Sequence, residues 1–249
     1  MIPSAFQQKR LDRKARADLL RSVVAACSDH PSTVVFDLDG TLLDNRPRVV
    51  RIFHELADTW ASAHPREAAS CRQARLELVS YGVVENLRRL GVEDEALLEE
   101  GALYWKERFF IDAYMKYDVE MPGACAFVRA CYEAGSDIVY LTGRDLPNMA
   151  IGTFASLRDL GFPIGVVGTS LVTKPAFEIP DTDFKRAVAP KIGQNSKLVA
   201  TFDNEPANIN LFLEFHPGVS AIFFDSQHAP DPPELDARAS VVDSFELDA

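Results

Sequence analysis

The chain has 249 residues, of which 47% are hydrophobic and 25% are charged. This length and composition are typical of a globular protein with one good core and room for an inserted module. Its net charge of −11 argues against broad binding to nucleic acid or to an anionic membrane, because such binding needs clustered lysines and arginines.

The N-terminal segment predicts a helical extension over residues 1–32 rather than a targeting signal. Residues Met1 to Asp18 are polar and mixed in charge, without the apolar stretch of a signal peptide. A helix is expected from Gln7 to Ala26. No run reaches the ~18 apolar residues of a membrane span, and the four cysteines form no Cys-x-x-Cys pair. We therefore expect a cytoplasmic protein with reduced thiols.

The first strand of the core is predicted at Val34 to Phe36, and two carboxylates follow it. Asp37 and Asp39 flank one leucine, and Gly40 provides the turn that ends the strand. The ends of strands in open α/β sheets are places where ligand sites lie. One carboxylate of such a pair can act as a nucleophile while the other handles a proton, and together they attract a hard cation.

A long segment separates Asp39 from the next predicted core strand, far more than a simple crossover needs. Its apolar residues recur at helical spacing. It therefore predicts a helical cap domain over residues 46–119, inserted into a core of residues 33–45 and 120–249. Packing inside the cap explains most of its aromatic residues. Helices are expected from Pro47 onward and at Cys71 to Val79, Val84 to Leu90 and Ala96 to Tyr114.

After the cap, helices and strands alternate, a pattern typical of a doubly wound parallel sheet of the α/β class. The predicted helices are residues 124–134, 147–160, 183–192 and 206–215. The predicted strands are residues 137–141, 164–173, 198–202 and 219–224, with a short edge strand at 240–245.

Three segments at predicted strand ends resemble motifs of the haloacid dehalogenase (HAD) superfamily of aspartate-nucleophile phosphohydrolases. The first motif is Asp37 to Thr41, the second is Ile138 to Arg144, and the fourth is the acidic cluster in Leu198 to Glu205. The resemblance spans roughly residues 33 to 225. It implies a Rossmann-like core and a helical cap that closes over the active site and selects the substrate.

The third motif of that superfamily is a lysine near a helix start, and the chain offers two candidates. Lys185 lies in a predicted helix that Asp181 or Asp183 would cap. Lys174 ends an apolar run and precedes Pro175. We favour Lys185 and keep Lys174 as the alternative. The one outside the site is expected to be a solvated surface lysine.

The resemblance implies a role for each motif residue. Asp37 would attack phosphorus and form an aspartyl-phosphate, and Asp39 would exchange protons with the leaving group and with water. Thr142 and the Gly143 amide would bind a phosphoryl oxygen, and the lysine would stabilise the charge. For Arg144, two roles stay open: a clamp on a substrate anion, or a structural salt bridge.

Magnesium is the expected cofactor, because hard oxygen ligands and phosphate chemistry both suit it. The expected ligands are the Asp37 carboxylate, the Asp39 backbone carbonyl and the Asp203 carboxylate. Asn204, where many relatives carry a second aspartate, would hold a metal-bound water or else be a plain loop amide. Glu205 is interpreted as an acid at a helix N-terminus rather than as a catalyst.

The predicted function is a magnesium-dependent phosphatase that hydrolyses a small phosphomonoester. Asp39 favours phosphoryl transfer over carbon–halogen cleavage, which has no alkoxide leaving group to protonate. A phosphomutase or phosphotransferase with the same residues is the alternative, and a catalytically silent binding protein is another. A nucleic-acid end phosphatase fits the Lys185 pattern but not the acidic charge. We therefore expect no nucleic acid and no membrane as partners, and the oligomeric state stays open.

Overall fold

A computed structural model describes residues 6–29 and 31–248 of the chain. Helices and strands alternate through most of its length, and short 3-10 helices lie between several of them. In chain order the helices and strands are α1 (Arg13–Ala26), β1 (Ser32–Phe36), β2 (Leu43–Asp44), α2 (Arg46–Trp60), α3 (Pro65–Cys71), α4 (Val83–Arg89), α5 (Glu95–Phe109), β3 (Val119–Glu120), α6 (Ala124–Glu133), β4 (Asp137–Asp145), α7 (Leu146–Asp159), β5 (Thr169–Lys174), α8 (Asp181–Val188), β6 (Lys197–Asp203), α9 (Pro206–Phe215), β7 (Ser220–Phe224) and β8 (Ser240–Val242).

Six strands form one parallel sheet in the order β5-β4-β1-β6-β7-β8. The predicted α/β class with a parallel sheet is therefore confirmed. The chain builds outward from β1 through β4 to β5 and then returns to place β6 on the other side of β1. Such a reversal opens a crevice at the carboxyl ends of the two central strands. Asp37 and Asp203 lie at these two strand ends.

The sheet core is built from apolar strand residues and the apolar faces of flanking helices. All five residues of β1 are buried, as expected for a central parallel strand covered on both faces. Phe36 stacks on Phe202 of β6 with ring centroids 5.0 Å apart, and Phe127 of α6 packs edge-on against Phe36. Losing one such buried ring costs about 3–5 kcal/mol. This packing fixes the strand ends that carry the site.

Residues 46–117 form a helical insert between β2 and β3, which pair as a short antiparallel ribbon. The insert has its own hydrophobic cluster, which includes Phe53, Trp60 and Leu87. Gly101 of α5 lets the helices approach, because a Cβ there would lie 2.8 Å from Leu87 Cδ1. The insert therefore packs as a unit joined to the sheet through the ribbon.

Several element boundaries differ from the sequence-based predictions. The N-terminal helix begins at Arg13 rather than Gln7, because the Asp12 side chain caps it by accepting a hydrogen bond from Ala15 N at 2.8 Å. The helix predicted from Cys71 to Val79 is wrong: Pro65 begins that helix, and it ends at Cys71. Strand β5 starts at Thr169 because the preceding Gly168 has a φ of +80°, outside the extended region.

Strand β4 runs to Asp145, four residues beyond its predicted end. Its register with β5 shifts between Leu141 and Asp145, which pairs with Lys174. Such irregularities re-aim side chains next to functional sites. Thr142, Gly143 and Arg144 lie in this shifted stretch.

Neither a disulfide bridge nor a membrane-spanning helix is present among the described residues. All four cysteines have free thiols, and Cys125 alone among them is not buried. Among the described residues, no helix is both long and apolar enough to cross a membrane.

Candidate active site

A cavity of about 490 Å³ lies at the carboxyl ends of the central strands, beneath the helical insert. From the core, its walls include the ends of β1 and β4, the start of α8 and the loop after β6. From the insert, residues of α4 and α5 complete the walls. The sequence-predicted residues that line the cavity are Asp37, Asp39, Thr142, Gly143, Arg144, Lys185, Asn204 and Glu205.

Two carboxylates at the strand ends share one ammonium group. Lys185 Nζ donates to Asp37 Oδ1 at 2.7 Å and to Asp203 Oδ2 at 2.6 Å. All three side chains are buried, none more than 8% exposed. Thr41 Oγ1 donates to the remaining oxygen of Asp37 at 3.0 Å. We call Asp37, Lys185 and Asp203 the lysine cluster.

The pKa values in the lysine cluster follow from burial and from an excess of carboxylates over ammonium groups. Burial raises the pKa of Asp37 to about 7, and the nearby Asp203 carboxylate adds to the rise, against the attraction of Lys185. Burial alone would lower the pKa of Lys185, but the two carboxylates outweigh it and raise that pKa. The lysine therefore stays charged, and the two carboxylates share a single positive neighbour.

The other carboxylate of the first motif, Asp39, has entirely different neighbours. Arg144 grips it with two hydrogen bonds of 2.7 and 2.8 Å, and Arg48 Nη2 donates to it at 2.9 Å. Both arginines also bind Asp118, at distances of 2.7 to 2.8 Å. We call Asp39, Arg48, Arg144 and Asp118 the arginine cluster.

The arginine cluster balances its charges and spans the base of the helical insert. Arg48 lies on α2 just after β2, and Asp118 lies just before β3, so the pair links both ends of the insert. Burial alone would raise the pKa of Asp39, but the two guanidinium groups outweigh it and hold that pKa well below its usual range. Asp39 is therefore an ionised carboxylate in this arrangement.

Arg144 uses all three of its nitrogens within the protein, since Nη1 donates to Thr153 Oγ1 at 3.1 Å. Of the two roles left open by the sequence, the structural salt bridge is the one its contacts match. Thr142 and Gly143 line the cavity beside it, and Thr142 Oγ1 accepts a hydrogen bond from Arg144 N at 3.2 Å. Asp181 packs against Gly143, where a Cβ would lie 2.0 Å from Asp181 Oδ2.

The two candidate lysines have separate surroundings. Lys185 contacts Asp37, whereas Lys174 Nζ donates to Asp181 Oδ1 at 2.7 Å and to the carbonyls of Phe177 and Ile179. The expectation that the lysine outside the site is solvated is wrong. Lys174 is buried because these carbonyls and the Asp181 carboxylate replace water around its ammonium group. It holds the loop that leads into α8.

Asn204 and Glu205 follow β6 and support the site through the loop after β7. Asn204 Oδ1 accepts from Thr41 Oγ1 at 3.1 Å, and its Nδ2 donates to Gln227 O at 2.5 Å. Glu205 is the N-cap residue of α9, and its Oε1 accepts from Ala229 N at 2.9 Å. Burial, together with the Asp203 charge, raises the pKa of Glu205 to about 7.

The two carboxylates of the lysine cluster are the candidate magnesium ligands. No group of three or more His, Cys, Asp or Glu side chains is arranged to hold a metal ion among the described residues. Magnesium needs only one or two carboxylates, with waters and phosphate completing its shell. Asp37 and Asp203 supply two such carboxylates, and the oxygens that accept from Lys185 Nζ each keep a second lone pair for the ion. The donor set therefore fits the ion.

Sequence reasoning missed two residues of the arginine cluster, Arg48 and Asp118. Both side chains are fully buried, yet they are 70 positions apart and belong to no motif. A basic residue on an amphipathic helix and an acid before a strand are common surface features. No signal in a single sequence distinguishes them.

Comparisons with known proteins support the same fold. The family model of haloacid dehalogenase-like hydrolases matches residues 31–212, more than half of the chain. None of the proteins with curated functions matches the sequence significantly. A candidate phosphatase from Clostridium difficile is 12% identical, with a TM-score of 0.56, and the match covers 85% of this chain and 94% of that one.

Two further solved structures share the fold at low sequence identity. A haloacid dehalogenase-like hydrolase from Streptococcus pneumoniae is 10% identical over 86% of this chain and 95% of its own, with a TM-score of 0.52. Protein Tyrosine Kinase A from Mycobacterium tuberculosis is 15% identical over 88% and 96%, with a TM-score of 0.56. The family match, together with the parallel sheet and its strand-end residues, means that this chain belongs to the haloacid dehalogenase-like hydrolases.

Proposed function

We propose that the protein is a magnesium-dependent phosphatase that hydrolyses a small phosphomonoester through an aspartyl-phosphate. The observation that carries the proposal is the lysine cluster: a buried aspartate at the end of the central strand, contacted by a lysine and facing the cavity. A buried ammonium group beside a carboxylate suits an incoming phosphate, because it stabilises negative charge that water does not reach.

In the first step, an Asp37 carboxylate oxygen forms a bond to phosphorus, and the bond between phosphorus and the leaving-group oxygen breaks. In the second step, a water oxygen attacks phosphorus, and the bond to Asp37 breaks to release phosphate. Lys185 stabilises the charge on the phosphoryl oxygens in both steps. Thr142 and the Gly143 amide bind the same oxygens from the β4 side.

Asp39 is the proton-transfer group, and its surroundings favour accepting a proton over donating one. As an ionised carboxylate it can accept the proton of the attacking water in the second step. Donating a proton to the leaving group in the first step requires its contacts with Arg48 and Arg144 to loosen. Arg48 lies in the helical insert, so opening of the insert as a cap domain would loosen its contact with Asp39. Arg144 lies on β4 of the core, so its contact with Asp39 would loosen only if its own side chain moved.

Asp37 and Asp203 would hold the magnesium ion through carboxylate oxygens, with the Asp39 backbone carbonyl nearby as a third donor. When bound, the ion offsets repulsion between Asp37 and the phosphate dianion. Asn204 keeps Thr41 in place, and Thr41 donates to Asp37. This arrangement leaves one Asp37 oxygen bonded to Lys185 and orients the other.

The test is phosphate release from a broad panel of phosphomonoesters, with magnesium and with chelator, for wild type and Asp37→Asn. We expect release by the wild type with magnesium and a loss of at least about 10³-fold in the variant. Asp18→Asn, an exposed substitution outside the cavity lining, is the control for effects of purification and storage on activity. Equal release by wild type and Asp37→Asn would overturn the proposal.

A further inference from the structure

The part of the cavity beyond the strand ends has an aromatic wall. Trp105, Phe109 and Phe110 come from the C-terminal end of α5, and Tyr81 comes from the loop before α4. The ring centroids of Trp105 and Phe109 are 4.5 Å apart in a stacked arrangement, and Phe110 packs edge-on against both. These contacts hold the wall in place without a ligand, so a ring entering the cavity meets a preformed surface.

The charged groups of the cavity set a second condition on the ligand. Among the described residues that line it, the cations are Lys185 and Arg144. Lys185 is shared by Asp37 and Asp203, and Arg144 by Asp39 and Asp118. Each of these cations is therefore already paired with two carboxylates, which leaves no unpaired cation for a second anionic group.

The acidic residues strengthen this condition. Glu205 and Asp231 line the cavity, and neither has a lysine or arginine within ion-pair distance among the described residues. A carboxylate or second phosphate on the leaving group would face these acids with no unpaired lysine or arginine among the described lining residues to offset their charge. Repulsion of this kind selects against an anionic group without any contact that favours the neutral one.

We propose that the leaving group of the substrate contains an aromatic ring and carries no negative charge, so that the transferred phosphate is the substrate's only anionic group. The proposal rests on the proposed function for the phosphate end of the site. It includes monoesters of aryl-alkyl alcohols and of nucleosides. It excludes bisphosphates, phosphorylated carboxylic acids and sugar phosphates without a ring system that can stack.

The test compares three monoesters whose leaving groups are alkoxides of similar basicity: benzyl phosphate, 4-carboxybenzyl phosphate and ethyl phosphate. We expect kcat/KM for benzyl phosphate to exceed that for 4-carboxybenzyl phosphate by about tenfold or more, because the cavity excludes the added charge. It should exceed that for ethyl phosphate by about tenfold or more, because only benzyl phosphate buries a ring. Equal values for benzyl and 4-carboxybenzyl phosphate would overturn the charge condition. Equal values for benzyl and ethyl phosphate would overturn the ring condition.

Two variants attribute these preferences to the cavity. Tyr81→Ser removes an aromatic side chain that is 56% exposed, so the fold does not depend on this ring. The substitution should reduce the preference for benzyl phosphate over ethyl phosphate several-fold. Val83→Lys, on the cavity wall, should raise kcat/KM for 4-carboxybenzyl phosphate several-fold by supplying a cation. No change in either preference would contradict the assignment to this cavity.

A binding measurement separates this proposal from the proposed function. Calorimetric titration of Asp37→Asn with benzylphosphonate and 4-carboxybenzylphosphonate, in magnesium, reports recognition without turnover. Tighter binding of benzylphosphonate by tenfold or more would support the substrate class even if no ester were hydrolysed. Equal binding of the two would overturn it even if the phosphatase activity were established.

Discussion

The lysine cluster and the arginine cluster each contain one aspartate of the first motif, and they treat it in opposite ways. In the lysine cluster two carboxylates share one ammonium group, and the pKa of Asp37 is raised to about 7. In the arginine cluster two carboxylates face two guanidinium groups, and the pKa of Asp39 is held below its usual range. Both aspartates are buried, and their pKa values shift in opposite directions because their partners differ.

The difference assigns separate tasks to the two aspartates. A cluster with more carboxylates than cations attracts a metal ion, so we assign the proposed magnesium ion, and the phosphate that it would bind, to the lysine cluster. A balanced cluster needs nothing more, so the arginine cluster is suited to holding Asp39 and the base of the insert in one arrangement. Variants that alter the balance of either cluster should therefore have distinct effects.

The largest effect is expected from Lys185→Met. It leaves Asp37 and Asp203 buried and facing each other without a cation, which costs about 3–5 kcal/mol of unfolding free energy. Turnover should fall by at least about 10²-fold, because the charge that stabilises the phosphoryl oxygens is gone. Chemical denaturation and phosphate release measure the two quantities.

Lys174→Met is the matched control for that prediction. It also removes a buried lysine, but one whose partners are Asp181 and two backbone carbonyls outside the lysine cluster. We expect a smaller stability loss and turnover within about tenfold of the wild type. Comparable losses of turnover in both variants would mean that the two lysines have been distinguished on the wrong contacts.

The second effect concerns magnesium, measured by thermal unfolding rather than by activity. Saturating magnesium should stabilise the wild type, by about 2.7 kcal/mol at a hundredfold excess over its dissociation constant. Asp203→Asn should lose most of that response, whereas Asp118→Asn, a buried aspartate of the arginine cluster, should keep it. An undiminished response in Asp203→Asn would remove that residue from the metal site.

The third prediction uses the opposite pKa shifts of the two aspartates, in chelator. Between pH about 4 and 7, folded Asp37 retains a proton that the unfolded chain has released, so its contribution to stability falls as pH rises through this window. Asp37→Asn removes that fall and should be more stable than the wild type at pH 8.

For Asp39 the sign is reversed. Its folded pKa is depressed, so its contribution is present above pH about 4 and is lost as pH falls below that value. Asp39→Asn should therefore be less stable than the wild type at pH 8, with the difference shrinking under acid. Thermal midpoints at pH 3, 5 and 8 give both comparisons, and shifts of equal sign would refute the contrast between the clusters.

The sequence predicted the strand ends well because apolar runs followed by polar residues are local signals. Asp37 follows β1 in that way, and Thr142 follows the regular part of β4. Asp203 is the last residue of β6. The choice of lysine was favoured by a local signal too, the acidic residues before it. The expectation that Asp181 or Asp183 caps the helix is wrong, because Pro180 is the N-cap residue and both acids lie in the first turn of α8. Lys185 lies in the second turn. What the sequence indicated was thus the set of residues at one edge of the sheet.

The arginine cluster could not be predicted, because its members meet only through the tertiary fold. Arg48 and Asp118 lie at opposite ends of the insert, and Arg144 reaches them from a strand in the core. The burial of Lys174 was missed for a related reason: backbone carbonyls of the following loop are its partners, and they have no sequence signature. The burial of these charged side chains depends on which groups they contact in the fold, and residue type alone does not predict those contacts.

The smallest effect is expected from Asn204→Asp, which introduces a carboxylate next to Asp203 in the chain. Asn204 Nδ2 donates to Gln227 O, and a Cβ on Gly40 would lie only 2.5 Å from it, so the amide is tightly enclosed. An aspartate would place an acceptor against that carbonyl and add charge to an already negative site. We expect the metal-free variant to lose about 1 kcal/mol of unfolding free energy.

The same substitution should tighten magnesium binding several-fold, because the added carboxylate lies next to the lysine cluster. The loss of stability should therefore shrink or vanish as magnesium is added, which thermal unfolding across a magnesium series would detect. Asn208→Asp is the control, since Asn208 Nδ2 donates to Asp203 Oδ1, whereas Asn204 contacts Thr41 and Gln227. If Asn204→Asp weakens magnesium binding, Asn204 serves the site through Thr41 and Gln227, and a carboxylate there harms the very arrangement that holds Asp37.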